Sequence, residues 1–328
     1  MKPSTLTASS SARPLPHGSG DLTGRSVLTL ADLRSHEIRA VLDLAKTLKR
    51  DYAPWRAALA QRAAVLLFEK PSLRTRVSFE IGLAKLGGIA VYLDHQNSPI
   101  GQRETTGDYG KNLERWANTI VARVHRHATL EELVAATKVP IINALSDVAH
   151  PCQALADALT LEEHGVPLSA AKLAFVGDGN NVCHSLIELT ALMGGTIAVV
   201  TPPGYAPCEK VVVKARAVAV ATGASIEIGT DLALVRGADA IYTDAWISMG
   251  QSSDAAKLDA MRALQVTPRV MELAGPKALF MHCLPAHRGE EVVDAVIDSA
   301  HSVVFDQAEN RMHAQNALML LVLGASST

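Results

Sequence analysis

Along the chain, short unbroken apolar runs alternate with stretches in which apolar residues recur every three or four positions. The runs at 63–68, 89–93, 119–123 and 140–144 suit buried strands. Helical spacing marks 35–49, and a second helix is predicted from the N-cap Ser72 through Leu73, Val77, Ile81 and Ala84 to Gly87 and Gly88. A helix over 151–163, ending at Gly165, closes this first series. A second series follows, with strands at 173–177, 196–200, 225–228, 240–243, 278–282 and 302–306 and helices at 182–193, 208–222 and 308–323. The alternation predicts an α/β protein of two domains, each with a mostly parallel sheet flanked by helices, and a C-terminal helix closing the structure.

Length agrees, since 328 residues exceed a single domain of roughly 100–200 residues. The expected boundaries are a flexible tail over 1–25, a first domain over 26–164 and a second over 165–328. The first twenty residues hold Lys2 and Arg13, no acid, and a surplus of Ser, Thr and Pro; they resemble a transit peptide in composition but lack an amphipathic apolar face. With 31 Lys and Arg against 33 Asp and Glu, nothing marks a nucleic-acid surface or a polybasic membrane patch. No apolar run reaches the roughly 18 residues of a spanning helix. The scattered Cys152, Cys183, Cys208 and Cys283 form neither a disulfide framework nor a zinc motif, so a cytoplasmic location and no membrane partner are expected.

The stretch FEKPSLRTRVSFE, residues 68–80, puts Arg74 and Arg76 into the first turn of a helix. That end carries the positive pole of the macrodipole, and a bound anion removes the conflict. Ser72, Leu73, Arg74, Thr75 and Arg76 together offer free N–H groups, hydroxyls and guanidiniums, the ingredients of a phosphate cradle; the plainer alternative pairs Arg76 with Glu80. Arg123 ends a strand, where open α/β sheets bind ligands. In DVAHPCQALAD, residues 147–157, Pro151 suits the first helical position, so His150 at the helix mouth and Gln153 one turn in can aim two neutral donors at one carbonyl oxygen. Otherwise His150 caps its helix and Gln153 is solvated.

FVGDGNNV, residues 175–182, invites a dinucleotide reading, but Val182 replaces the third glycine and the next strand ends without a ribose-binding acid. Asn180 and Asn181 offer amides there instead. In DAWISMG, residues 244–250, Asp244 can hold an ammonium, and Ser248, Met249 and Gly250 form a loop. MHCLPAHRGEEV, residues 281–292, places Cys283 beside His282 and His287; neighbours on a strand point to opposite faces, so a metal site shared by His282 and Cys283 is not expected. In ENRMH, residues 309–313, Arg311 is expected in the first turn of the last helix.

SLRTR, Arg123, HPCQALAD, GDGNN, DAWISMG, HCLP and ENRMH, in this order, make the chain resemble the aspartate/ornithine carbamoyltransferase family, from about Val27 to Leu323. HCLP and the SMG loop are similar to its ornithine-specific members rather than to the aspartate-specific ones. The resemblance implies transfer of the carbamoyl group of carbamoyl phosphate to the δ-amine of L-ornithine, giving citrulline and phosphate, with no cofactor, metal or covalent intermediate. It also implies a homotrimer, or an assembly of trimers, with active sites near subunit contacts. Carried over by position, Ser72, Leu73, Arg74, Thr75, Arg123, His150 and Gln153 bind carbamoyl phosphate. Asn181, Asp244, Ser248 and Met249 hold ornithine, and Cys283, Leu284 and Arg311 lie near the reacting groups. Catalytic roles fall to Arg123, His150, Cys283 and Arg311.

Two positions depart from the family pattern. Leu73 stands where many relatives carry threonine, which removes a hydroxyl but keeps a backbone donor. Pro99 stands where many carry a glutamine that reaches the neighbouring subunit's phosphate, with Gln102 or Arg103 as the candidate to replace it. Two other readings compete: a non-catalytic sensor of phosphate or amino acids, and a nicotinamide-dependent dehydrogenase, against which the broken glycine fingerprint counts.

Overall fold

A computed structural model of the protein describes residues 22–247 and 254–327. The first half runs α1 (Ser35–Arg50), β1 (Ala63–Phe68), α2 (Leu73–Lys85), β2 (Ile89–Asp94), α3 (Thr106–Leu113), β3 (Thr119–Arg123), α4 (His127–Ala136), β4 (Ile141–Leu145) and α5 (Pro151–Glu163). Its four strands pair in the order β2-β1-β3-β4, all parallel. The second half runs β5 (Lys172–Val176), α6 (Asn181–Met193), β6 (Thr196–Val200), α7 (Glu209–Thr222), β7 (Ser225–Gly229), β8 (Ala240–Thr243), α8 (Ala255–Met261), α9 (Pro268–Ala274), β9 (Leu279–His282), α10 (Asp294–Ile297) and α11 (Val304–Val322). Its five parallel strands are ordered β7-β6-β5-β8-β9.

The strands form where the apolar runs predict them because parallel sheets covered on both faces bury nearly every strand residue. β1, β3 and β5 show this, with Leu66, Phe68, Val121, Phe175 and Val176 fully buried. One apolar cluster continues from α1 through α5 and α11 to α6 and β5, so the two sheets share a core. α11 produces this continuity by packing back onto α5, α1 and α2.

Both sheets reverse winding direction in mid-sheet, at β1/β3 and at β5/β8. Loops at the C-terminal ends of strands diverge at such points and leave a crevice. The two crevices face each other.

The predicted strand over 302–306 does not form. Ser302 makes a single parallel bridge to Phe280, and the chain enters α11 at Val304, where Asp306 in the first turn complements the helix dipole. Arg311 therefore lies two turns inside α11 rather than in its first turn.

Candidate active site

A cleft of about 470 Å³ opens between the two sheets. Its walls come from strand ends: Lys70 to Arg74 after β1, Arg123 at the end of β3, His150 at the mouth of α5, Asp178 to Val182 after β5, Asp244 after β8, and Cys283 and Leu284 after β9. Arg311 reaches in from α11.

Ser72 is the N-cap of α2: its Oγ accepts the Thr75 N–H (3.3 Å) and donates to Thr75 Oγ1 (3.0 Å). The N–H groups of Leu73 and Arg74 begin the helix and have no intrahelical acceptor. Leu73 is 74 % exposed, so its side chain points away and only its backbone serves the cleft. Arg74 lines the cleft, whereas Arg76 lies on the other side of the helix, bonded to Glu80 (3.0 Å) with its guanidinium carbon 3.8 Å above the Tyr92 ring. The conflict of two cations in one turn thus has two solutions: Glu80 for Arg76, and an open site for Arg74.

Arg123 is 2 % exposed and its Nε has no partner. Burial, then the guanidiniums of Arg311 and Arg74, push it down to about 9. Arg311 is equally buried; it donates to Thr75 Oγ1 (2.7 Å), its Nε is unpartnered, and burial lowers its proton affinity. Lys70 adds an ammonium that burial, and then Arg123, also push down. Buried cations without counter-charge are costly, so this wall is built for an anion.

His150 is held from outside its own domain: its N–H donates to Ser185 Oγ (2.8 Å) on α6. Burial, with Arg311 and Arg123 nearby, keeps its imidazole far below the usual histidine range, hence neutral. It can donate to a carbonyl oxygen without adding charge. Gln153 does not act as the second donor predicted for that oxygen. Its Nε2 donates to Asp157 (2.8 Å), and its buried Oε1 is left unpartnered, so it offers an acceptor.

On the opposite wall, Asp244 accepts from Asn180 Nδ2 (2.7 Å), the Ala245 N–H (2.8 Å) and Cys283 Sγ (2.9 Å). Burial, then the Asp244 carboxylate, drive the Cys283 thiol well above the ordinary range, so it is a hydrogen-bond donor and not a thiolate. Leu284 follows with a positive φ of 56°, and its N–H donates to His282 Nδ1 (2.8 Å). Asn181 lines the cleft, but its Nδ2 donates across the domains to the Ser146 carbonyl (2.6 Å). Ser248 and Met249 lie outside the described residues.

One expectation about metals fails in its premise. β9 ends at His282 and the chain turns, so strand alternation does not separate the neighbours: Asp244, His282 and Cys283 bring ligand atoms within 4.8 Å of one another. Their atoms are already committed, His282 to Leu284 and Glu291 (3.2 Å) and Cys283 to Asp244. In FVGDGNNV the glycines serve the backbone. A Cβ on Gly179 would sit 2.2 Å from the Pro207 nitrogen, so this loop packs against its neighbour and needs no dinucleotide to explain it.

Sequence reasoning missed Lys70, His184, Ser185 and Glu69. Lys70 stands in FEK two residues before the N-cap. His184 Nδ1 lies 2.8 Å from the Val148 carbonyl and, with Asn181 and Ser185, makes the first turn of α6 a clamp on the segment leading to His150. Glu69, buried at the end of β1, accepts the N–H groups of Ile100 (3.0 Å) and His125 (2.8 Å). Polar residues spaced three and four apart in the apolar helix α6 were the available signal.

The carbamoyl-P binding domain model of aspartate/ornithine carbamoyltransferases matches residues 25–163, and the Asp/Orn binding domain model matches residues 169–322. An ornithine carbamoyltransferase of Shewanella oneidensis is 49 % identical over 294 residues, 89 % of this chain and 97 % of that protein. The anabolic ornithine carbamoyltransferase of Pyrococcus furiosus is 46 % identical over 307 residues, 92 % of this chain and 98 % of its own. Among solved structures, ornithine carbamoyltransferase from Pyrococcus furiosus superposes with a TM-score of 0.90 at 45 % identity, covering 93 % of this chain and 99 % of that one. The Thermus thermophilus enzyme gives 0.81 at 43 %, covering 90 % and 98 %. With both halves matched in order by the family's two domains, the chain belongs to the aspartate/ornithine carbamoyltransferase family.

Proposed function

We propose that the cleft transfers the carbamoyl group of carbamoyl phosphate to the δ-amine of L-ornithine, and that the chain is an ornithine carbamoyltransferase. The observation that carries the reading is the buried, unpaired Arg123, with Arg74 at the start of α2 and Arg311 on α11, lining the same cleft as Asp244 held by Asn180 and Cys283. One wall suits a phosphate and the other an ammonium.

In this assignment Ser72, the N–H groups of Leu73 and Arg74, and the side chains of Arg74, Thr75 and Arg123 take the phosphate. His150 and Arg311 polarise the carbamoyl carbonyl, and Gln153 Oε1 accepts from the carbamoyl NH2. Asp244, Asn181, Ser248 and Met249 hold the amino-acid end of ornithine; Cys283 and Leu284 border the reacting δ-amine. The neutral δ-amine attacks the carbamoyl carbon, a C–N bond forms, the C–O bond to phosphate breaks with its electron pair, and the amine proton leaves with the phosphate. Holding two substrates in one geometry supplies much of the acceleration. A protonated, hydrogen-bonded Cys283 fits a contact role and not covalent catalysis.

Four unpaired cysteines support a reducing, cytoplasmic location, and no helix among the described residues is long and apolar enough to cross a membrane. A homotrimer, or an assembly of trimers, is what the family resemblance implies, and the exposed apolar Leu73, Val77 and Ile81 on α2 offer a face for association. In such an assembly Gln102 or Arg103, both exposed on the loop that Glu69 anchors, would take the role of the glutamine absent at Pro99. The named anabolic role of the Pyrococcus furiosus relative favours synthesis of citrulline toward arginine.

The test is citrulline formation by the purified protein with carbamoyl phosphate and ornithine, beside aspartate, putrescine and N-acetylornithine as acceptors. Turnover with ornithine alone is expected. Turnover with another amine would overturn the assignment around Asp244, and none with any acceptor would leave a phosphate-binding protein without transferase activity.

A further inference from the structure

Asp157 is fully buried one turn beyond Gln153 on α5, and one of its oxygens takes two amides at once. Its Oδ1 accepts from Gln153 Nε2 (2.8 Å) and from Gln307 Nε2 (2.8 Å). Gln307 in turn uses its Oε1 to accept the His282 N–H (2.9 Å), at the end of the strand that delivers Cys283. A primary amide can rotate by half a turn and exchange oxygen for nitrogen at little steric cost. What decides its orientation is the partner: burial raises the Asp157 carboxyl to about 7, but both amides meet Oδ1 while Oδ2 is free to carry a proton, so Oδ1 is an acceptor in either state.

We propose that Asp157 is a positioning residue for carbamoyl transfer: it locks the Gln153 amide so that Oε1, and not Nε2, is presented to the carbamoyl group, and thereby makes the site read an NH2. The inference rests on the assignment of Gln153 to the carbamoyl end of carbamoyl phosphate. The free Oε1 is buried without a donor, a state that costs stability until an N–H arrives. Carbamoyl phosphate brings that N–H and inorganic phosphate does not. The lock therefore bears on one ligand and is silent toward the other. Through Gln307 the same carboxylate braces the backbone before Cys283, so the carbamoyl side and the acceptor side are held from one buried atom.

The test compares binding of carbamoyl phosphate and of inorganic phosphate by calorimetry in full-length wild type, Asp157→Leu, Asp157→Asn and Gln153→Ala. Asp157→Leu is expected to weaken carbamoyl phosphate about tenfold, the cost of one well-made hydrogen bond, while phosphate stays within about twofold. Asp157→Asn, which keeps one acceptor oxygen, restores most of the difference. Gln153→Ala shows the same selective loss, and adding Asp157→Leu to it costs nothing more. Equal weakening of both ligands by Asp157→Leu, or no weakening, overturns the positioning role. If Gln153→Ala itself fails to separate the two ligands, the assignment of Gln153 falls instead. Should Asp157→Leu not fold, the wild type with phosphonoacetamide decides by crystallography. Its carboxamide nitrogen is expected on Gln153 Oε1 with Gln153 Nε2 still on Asp157, and a Gln153 amide released from Asp157 overturns the inference.

Discussion

Arg74 and Arg76 stand two positions apart on one helical turn and have opposite fates, one lining the cleft and the other spent on Glu80 and the Tyr92 ring. Arg74→Ala is expected to weaken carbamoyl phosphate binding by about ten- to a hundredfold, the range for a charge-assisted hydrogen bond, and Arg76→Ala by less than about twofold; titration calorimetry separates them, and equal effects would contradict the cradle. His150 gives a second expectation. Its protonated form is so disfavoured by burial and by Arg311 and Arg123 that lowering the pH from 8 toward 6 does not charge it. The kcat profile over that range should show no inflection that disappears in His150→Gln; an inflection lost in the variant would mean that the imidazole titrates. These residues were legible in the sequence as chemistry and not as orientation. SLRTR announces cations at a helix start, but only the fold decides which of them turns inward, and HPCQALAD announces an amide without saying which end it presents. The Asp157 carboxylate that settles the second question lies in the same motif, yet nothing in the one-dimensional spacing assigns its other partner, Gln307, about 150 residues away.

Elements were most legible where burial on both faces leaves an unbroken apolar run, as in β1, β3, β6 and β8, and least where tertiary contact replaces intrinsic preference. α3 is eight residues long and contains Gly107 and Gly110; the second lets it approach α4, since a Cβ there would meet Thr137 Cγ2 at 2.7 Å. Packing, not propensity, makes that segment helical. The β-branched start of α11 misled in the other direction, reading as a strand because Val303 and Val304 are buried. α1 depends on a charge cluster at its entrance. Glu37 is fully buried and accepts from Arg25 Nη1 (2.6 Å), from Arg34 Nη2 (2.6 Å) and from the Arg34 N–H (2.8 Å). Burial pushes its carboxyl up, but the bonds from Arg34 and Arg25 outweigh it and bring the group from 4.5 down to about 2. A carboxylate whose folded value lies below its unfolded one stabilises fully above the unfolded value and loses that contribution as pH falls toward the folded one. Glu37→Gln should therefore destabilise by about 2 kcal/mol at pH 7 in urea denaturation, with a difference from wild type that shrinks between pH 4.5 and 2. A difference independent of pH would mean that the charge contributes nothing.

At the scale of the molecule, the two sheets and the cleft between their strand ends follow from the α/β alternation, but the surface beside the cleft was not readable in advance. In α2 the helical spacing of Leu73, Val77 and Ile81 is that of a core-facing stripe. All three are exposed, at 74 %, 38 % and 49 %. An apolar helix face left exposed invites association unless a partner covers it. In the proposed assembly its partner is a second copy of the chain. Because Leu73 immediately precedes Arg74 at the start of α2, such a contact would lie against the phosphate end of the cleft and steady the turn that binds it. Val77→Glu together with Ile81→Glu places two like charges in that stripe while leaving every cleft residue in place. The double variant should elute as a monomer by size exclusion with light scattering, keep its far-ultraviolet circular dichroism, and lose at least about tenfold in carbamoyl phosphate affinity, one hydrogen bond's worth of ordering at the cradle. An unchanged mass would remove this face from the assembly. A monomer that binds carbamoyl phosphate as tightly as the wild type would keep the interface and break its link to the site.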